Sequence, residues 1–146
     1  MATKKDTYQL TMTPRVAAKI FQMQDAVDTE VGGFGVSSPD NFLHLEDFIV
    51  LEQEATTSSF EWTDDAVGKY MEAMQDSGKA LQQYSRIWIH THPPSSGVSP
   101  SFTDETTQKD CFGLCSWSVM LIVGTGGEFG ARLYSHYTSK SPIDGS

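Results

Sequence analysis

"RIWIHTHPPSSGVSPSFTDE", residues Arg86–Glu105, holds two of the chain's four histidines, one residue apart at the end of an apolar run. Up to Pro93 the stretch is rich in β-branched and aromatic residues, which predicts a strand. In a strand, residues i and i+2 share a face about 6.5–7 Å apart at Cα. His90 and His92 therefore project side by side, with Trp88 on their face and Ile87 and Ile89 on the other. Pro93 ends the strand, and "PPSSGVSP" (93–100) is excluded from regular structure, so His92 falls at the strand's C-terminal lip.

Working outward, "WSVMLIVG" (117–124) is a continuous apolar run and predicts a buried strand, followed by a "TGG" turn and a closing strand in "EFGARLYSHY" (128–137). "SFTDETTQKDCFGLC" (101–115) predicts a short helix. Upstream, "TDDAVGKYMEAMQDSGKALQQY" (63–84) predicts one helix, capped by Thr63, with acids in its first turn and a weak point at Gly78. "NFLHLEDFIVLEQEA" (41–55) predicts one or two strands with a turn near Asp47, and "LEQEATTSSFEWTDD" (51–65) reads as an acidic, solvated link. "EVGGFGVSS" (30–38) predicts a strand whose glycines admit a close neighbour, either another backbone or a ligand. "TPRVAAKIFQMQDAV" (13–27) predicts a helix capped by Thr13, with Pro14 at its first position and Val16, Ile20, Met23 and Val27 on one stripe. "YQLTM" (8–12) predicts a short strand. The order β-α-β-β-α-β-α-β-β predicts an α/β fold, a mixed central sheet flanked by helices.

The 146 residues fit a single domain, residues 1–138, with "SKSPIDGS" (139–146) as a loose tail. A formal charge of −9 argues against binding to nucleic acid or to anionic membranes. No apolar run is long enough to span a bilayer, and the N-terminal stretch has no apolar signal core. Cys111 and Cys115 are the only cysteines, which excludes a disulfide framework and makes a cytoplasmic location the expectation. At helical spacing they can share a face, as small residues under the sheet or as a second metal or redox site. His44 reads as a strand residue and not a ligand. His136 has no nearby partner in sequence. Trp62 and Trp117 read as core or rim residues.

Two imidazoles on one face can hold a cation between them. A catalytic zinc takes three protein ligands and keeps a fourth position for water. Asp104, in the first turn of the helix after the loop, is the natural third ligand. With Zn²⁺ bound, this set leaves a net charge of about +1, which acidifies a bound water toward a pKa of about 7. Attack on a carbonyl also needs a carboxylate that does not ligate the metal, and Glu30, opening the Gly-rich strand, is the best candidate. The Ser101 hydroxyl is placed to stabilise an oxyanion. Taken singly, each element has a plainer reading: the histidines structural, Glu30 an acid near a helix end, Ser101 and Asp104 the two halves of a helix-capping box.

Together, "His90-Thr91-His92-Pro93", Ser101 eight positions after Pro93, Asp104, and "Glu30-Val31-Gly32-Gly33" upstream resemble the JAMM motif of the JAB/MPN-domain metalloproteases. The family pattern is H-[ST]-H-P, a spacer, then S-x-x-D, with an acid upstream. Nearly the whole chain is compatible with the resemblance, which implies a cytidine-deaminase-like JAB/MPN core. It also implies one Zn²⁺ held by His90, His92 and Asp104, with Glu30 and Ser101 catalytic, and hydrolysis of a peptide or isopeptide bond.

The chain is similar to the compact prokaryotic or phage members, without the insertions of the eukaryotic deubiquitinases. Some compact members act on ubiquitin-like proteins or their conjugates; others accompany phage tail assembly. A β-grasp tail is the substrate the resemblance suggests, with "NFLHLEDFIV" as an edge strand for it to extend. The alternative is a non-catalytic MPN-type docking module in a larger assembly. RadC-type domains share the H-x-H-P…S-x-x-D pattern but run H-N-H-P-S-G. The H-x-E…P-C-x-x-C signature of nucleobase deaminases is absent, as is an H-E-x-x-H helix. Oligomeric state and cleavage sequence are not fixed by the sequence.

Overall fold

A computed structural model of the chain describes residues 8–26, 31–51, 53–55, 60–92 and 97–135. The elements run β1 (Thr11–Met12), α1 (Pro14–Ala26), β2 (Gly32–Ser38), β3 (Asn41–Val50), β4 (Gln53–Ala55), β5 (Phe60–Trp62), α2 (Asp64–Asp76), α3 (Leu81–Tyr84), β6 (Ile87–Thr91), α4 (Phe102–Phe112), β7 (Trp117–Val123) and β8 (Phe129–Ser135). A 3₁₀ turn, Thr125–Gly127, joins the last two strands. The main sheet has six strands in the order β1-β3-β2-β6-β7-β8, and β4 pairs with β5 separately. The pairs β1/β3 and β6/β7 are parallel and the other pairs antiparallel, so this is a mixed α/β fold. No helix among the described residues is long and apolar enough to cross a membrane.

Alternation along β6 sorts the core into two layers. Ile87 and Ile89 join Leu45, Phe48, Val119 and Leu121 beneath Val16 and Ile20 of α1. Trp88 joins Phe34, Met120 and Ile122 beneath Tyr70, Tyr84 and Phe112 of the other helices. Side chains of this size contribute roughly 1.5–3 kcal/mol each on full burial, and β6 is buried along its whole length. The helix stripe expected from Val16, Ile20 and Met23 faces this core, and the Val16 amide donates to Thr13 Oγ as an N-cap bond. Val27 lies outside the described residues.

In β2, Gly33 admits a neighbouring backbone, whereas Gly35 admits the side chains of Leu45 and Ile87. A Cβ on Gly33 would lie 2.0 Å from the Ile49 carbonyl oxygen of β3, a separation no side chain tolerates.

Several elements differ from the sequence expectation. The 63–84 segment is two helices, because the chain turns at Gly78 with φ of +81° and α3 starts afresh at Leu81. β3 is one unbroken strand through Asp47, whose carboxylate accepts the Phe48 amide and pairs with Lys19. β2 lies along one side of β3, and on the other side β1 pairs with it at His44 and Leu45. The acidic link contains the β4–β5 pair, and Trp62 packs against the core. "YQLTM" forms a strand only at Thr11 and Met12. Cys111 is exposed and not a core residue, while Cys115 packs partly against the core; both are free thiols. His44 is half-buried in β3 and shares a hydrogen bond with Thr11. His136 and the 139–146 tail fall outside the described residues.

Candidate metal centre

β6 delivers His90 from its end and His92 from the residue just beyond it, where the His92 amide donates to Val123 O of β7. Both side chains emerge on the Trp88 face. The rings lie 5.2 Å apart between centroids, and His90 stacks on Trp88 at 4.1 Å. Asp104 arrives from α4, whose buried side chains are Asp104, Gln108 and Phe112. That i, i+4, i+8 row is two-thirds polar. Gln108 Nε2 donates to Ser118 Oγ of β7, so α4 docks on the sheet through hydrogen bonds at its first turns and through an aromatic ring only at its end.

The capping box and the metal site are one structure. Ser101 Oγ accepts the Asp104 amide at 3.0 Å, and Asp104 Oδ2 accepts the Ser101 amide at 2.9 Å. Thus held, Asp104 presents Oδ2 to His92 Nε2 at 2.8 Å and Oδ1 to His90 Nε2 at 3.1 Å. All three side chains are buried, and one ligand atom from each lies within 4.8 Å of the others. Ser101 itself is exposed beside them. With Oγ taken as an acceptor, its hydroxyl proton remains available to donate outward.

The donor set fits a cation. Gly97 O lies 3.1 Å from His92 Nδ1 and can only accept, so Nδ1 carries the proton. In the neutral ring, Nε2 is then an acceptor, yet it faces a carboxylate oxygen. Two lone pairs point at each other until a second proton or a cation comes between them. A backbone carbonyl on the far nitrogen is also the usual support of a metal-ligating histidine. Burial favours uncharged His90 and lowers its pKa, against the opposing pull of Asp104. Burial alone would raise the pKa of Asp104. Where protons fill these gaps in the metal-free site, hydrogen bonds from His90 and His92, with the Ser101 amide, outweigh it and hold the carboxyl well below the usual carboxylate range. Neutral imidazoles and an ionised carboxylate are the protonation states a metal requires.

The structure thus brings together His90, His92, Asp104 and Ser101. Glu30 lies outside the described residues. Its chain neighbour Val31 is tied to the residue between the two histidines: the Val31 amide donates to Thr91 Oγ at 3.0 Å, and the Thr91 amide donates to Val31 O at 2.9 Å. Thr91 and the Gly97 carbonyl are the supporting groups that motif reading passed over. The only sequence signal for either was position: a hydroxyl between the histidines, and a glycine in the loop, with φ of +67°. Next to Asp104, Glu105 accepts from Arg132 and Tyr134 of β8. Burial and that carboxylate push the Tyr134 phenol up to about 12, so it stays a donor.

The loop after the histidines closes over β8 at a glycine. A Cβ on Gly130 would lie 2.2 Å from Val98 O. Gly130→Ala is expected to cost about 1–3 kcal/mol of stability through overpacking. By moving the loop that carries Gly97, it should also weaken metal binding about 10–100-fold, the usual effect of losing support behind a ligand. Thermal melting and a competitive chelator titration read the two effects separately. An unchanged metal affinity would mean that the loop does not support His92. Among the described residues, His90, His92 and Asp104 are the one group of three or more side chains placed to hold a metal, and neither Cys111 nor Cys115 joins such a group. In comparisons with known proteins, no family model matches the chain and no curated protein matches it.

Proposed function

We propose that the protein is a zinc-dependent peptidase or isopeptidase of the JAB/MPN type, with the JAMM residues in their family roles. One observation carries the reading: a buried His-His-Asp group whose lone pairs converge, at the mouth of a sheet and next to an exposed serine hydroxyl. His90, His92 and Asp104 hold the ion. With zinc held there, the site would supply Lewis acidity toward a water and a scissile carbonyl. Glu30 takes the proton of the attacking water and passes it to the leaving amine. Ser101 donates its hydroxyl proton to the developing oxyanion. The substrate is a protein or peptide, in the family's pattern a ubiquitin-like tail or conjugate. Free thiols at Cys111 and Cys115 fit action in the cytoplasm.

The test is incubation of a lysate of the native source with zinc-loaded protein, with chelated protein and with Glu30→Gln, followed by mass spectrometry of new chain ends. Ends that need both zinc and Glu30, and that follow Gly-Gly, support cleavage of ubiquitin-like tails. Ends at other sequences with the same dependence support a differently aimed peptidase. Zinc bound with no Glu30-dependent ends would replace this reading with a docking module.

A further inference from the structure

A cleft of about 730 Å³ opens between α2 and α4, within the size range of small-molecule and side-chain pockets. Phe34, Trp62 and Met71 form its apolar walls, and Asp64 and Asp110 bring carboxylates to it. No lysine or arginine is among the described residues that line it, and the chain as a whole carries a charge of −9.

The cleft neighbours the metal centre along α4 and through the core rings. On the helix side, Asp110 and Cys111 line it six and seven residues along α4 from Asp104, about 9–10.5 Å along the axis at 1.5 Å per residue. On the sheet side, rings connect the two places: Phe34 stacks on Trp62 at 4.6 Å, Trp62 meets Trp88 edge-on at 6.1 Å, and Trp88 stacks on His90. Extended chain advances about 3.3–3.6 Å per residue, so two or three residues separate a group in the cleft from one at the metal.

We propose that this cleft is a specificity pocket for a basic side chain, lysine or arginine, of a peptide substrate, two or three residues from the bond offered to the metal. Such a side chain needs apolar surface for its methylene stem and negative charge for its head, which these walls supply. An indole face adds attraction for the cation. An acidic or uncharged polar side chain would meet repulsion or leave the carboxylates unmatched. The word substrate rests on the hydrolase reading above; the binding does not.

The probe is the blocked tripeptide acetyl-Ala-Arg-Ala-amide, titrated into the full-length protein while the Trp62 indole signal is followed by NMR, assigned with Trp62→Phe. The matched citrulline peptide keeps the shape and removes the charge. The expected result is a saturable shift of Trp62 with the arginine peptide and binding about tenfold weaker for the citrulline peptide. A similar loss is expected in the Asp64→Asn, Asp110→Asn double variant, from two solvent-exposed charge contacts. Both residues are exposed, so a melting curve checks that the variant is folded, and Asp110→Asn alone should show an intermediate loss. No shift, equal binding of the two peptides, or binding indifferent to both substitutions would overturn the proposal. None of these readouts involves cleavage, so the pocket can fail while Glu30-dependent hydrolysis stands, and the reverse.

Discussion

Asp104→Ala abolishes tight metal binding and loosens the start of α4 in the same step. The side chain completes the His-His-Asp group and is also the acceptor for the Ser101 amide. Removing a group that merely supports a ligand costs about 10–100-fold in affinity, so removing the ligand itself should cost more than about 100-fold. Losing half of the capping box takes roughly another 1 kcal/mol from the helix. Asp104→Asn separates the two effects, because its amide oxygen can still accept the Ser101 N–H while the ligand charge is gone. Thermal melting with and without zinc is the measurement. A ligand that binds only the folded state stabilises by about 4 kcal/mol at 1,000 times its Kd. Wild type should melt several degrees higher with zinc than without it, and Asp104→Asn should show no such zinc-dependent rise, each protein being compared with its own metal-free form. A zinc-dependent rise in Asp104→Asn equal to that of wild type would remove Asp104 from the ligand set.

The same site gives the metal-free protein an acid weakness. His90 has its pKa lowered by burial, so as pH falls through the ordinary histidine value of 6.5 the unfolded chain takes up a proton that the folded chain refuses. Stability is lost wherever the unfolded state binds more protons, so it should fall below that pH. Asp104 works in the same direction further down. Its depressed pKa contributes stability above the ordinary carboxylate value of 3.8 and loses it as pH drops toward the folded value.

The candidate metal site was legible because both of its signals are geometric. Period-two alternation puts Trp88, His90 and His92 on one face of β6, and the S-x-x-D spacing is itself a helix start. The apolar strands β6 and β7 were legible for the same reason. What failed was whatever is not written in hydrophobic pattern. α4 lies on the sheet through Asp104 and Gln108, so no apolar stripe announces which face is inside. The β4–β5 pair is built from a stretch rich in Glu, Ser and Thr, whose composition reads as solvated loop. At Gly78, helix propensity carried the expectation through a residue whose positive φ ends one helix before another begins. Cys111 shows the converse error: residue type favours burial, but Cys111 is exposed in the cleft beside α4's buried row.

Glu30→Gln is expected to lower turnover by about 10²–10⁴-fold, the usual contribution of a general base, while zinc affinity and melting temperature stay at wild-type values. The anchor at Val31 gives this prediction a second arm. Thr91 is 2% exposed, and its hydroxyl stands where a strand would normally offer a carbonyl, holding the amide of the residue that follows Glu30. Thr91→Val keeps the shape and removes that acceptor, leaving the Val31 N–H unmatched, at a cost of about 1–3 kcal/mol. If the bond serves only the sheet, Thr91→Val lowers the melting temperature and leaves kcat/KM of the folded, zinc-loaded enzyme unchanged. If it holds the base in line with the ligands on either side, kcat falls with KM and zinc affinity little altered, and Thr91→Ser, which restores the hydroxyl, recovers the rate. In the Glu30→Gln background Thr91→Val should then cost almost nothing further in kcat, because two residues that act through one proton transfer are not additive. Independent losses in the double variant would instead mean that Thr91 supports the histidines and not the base.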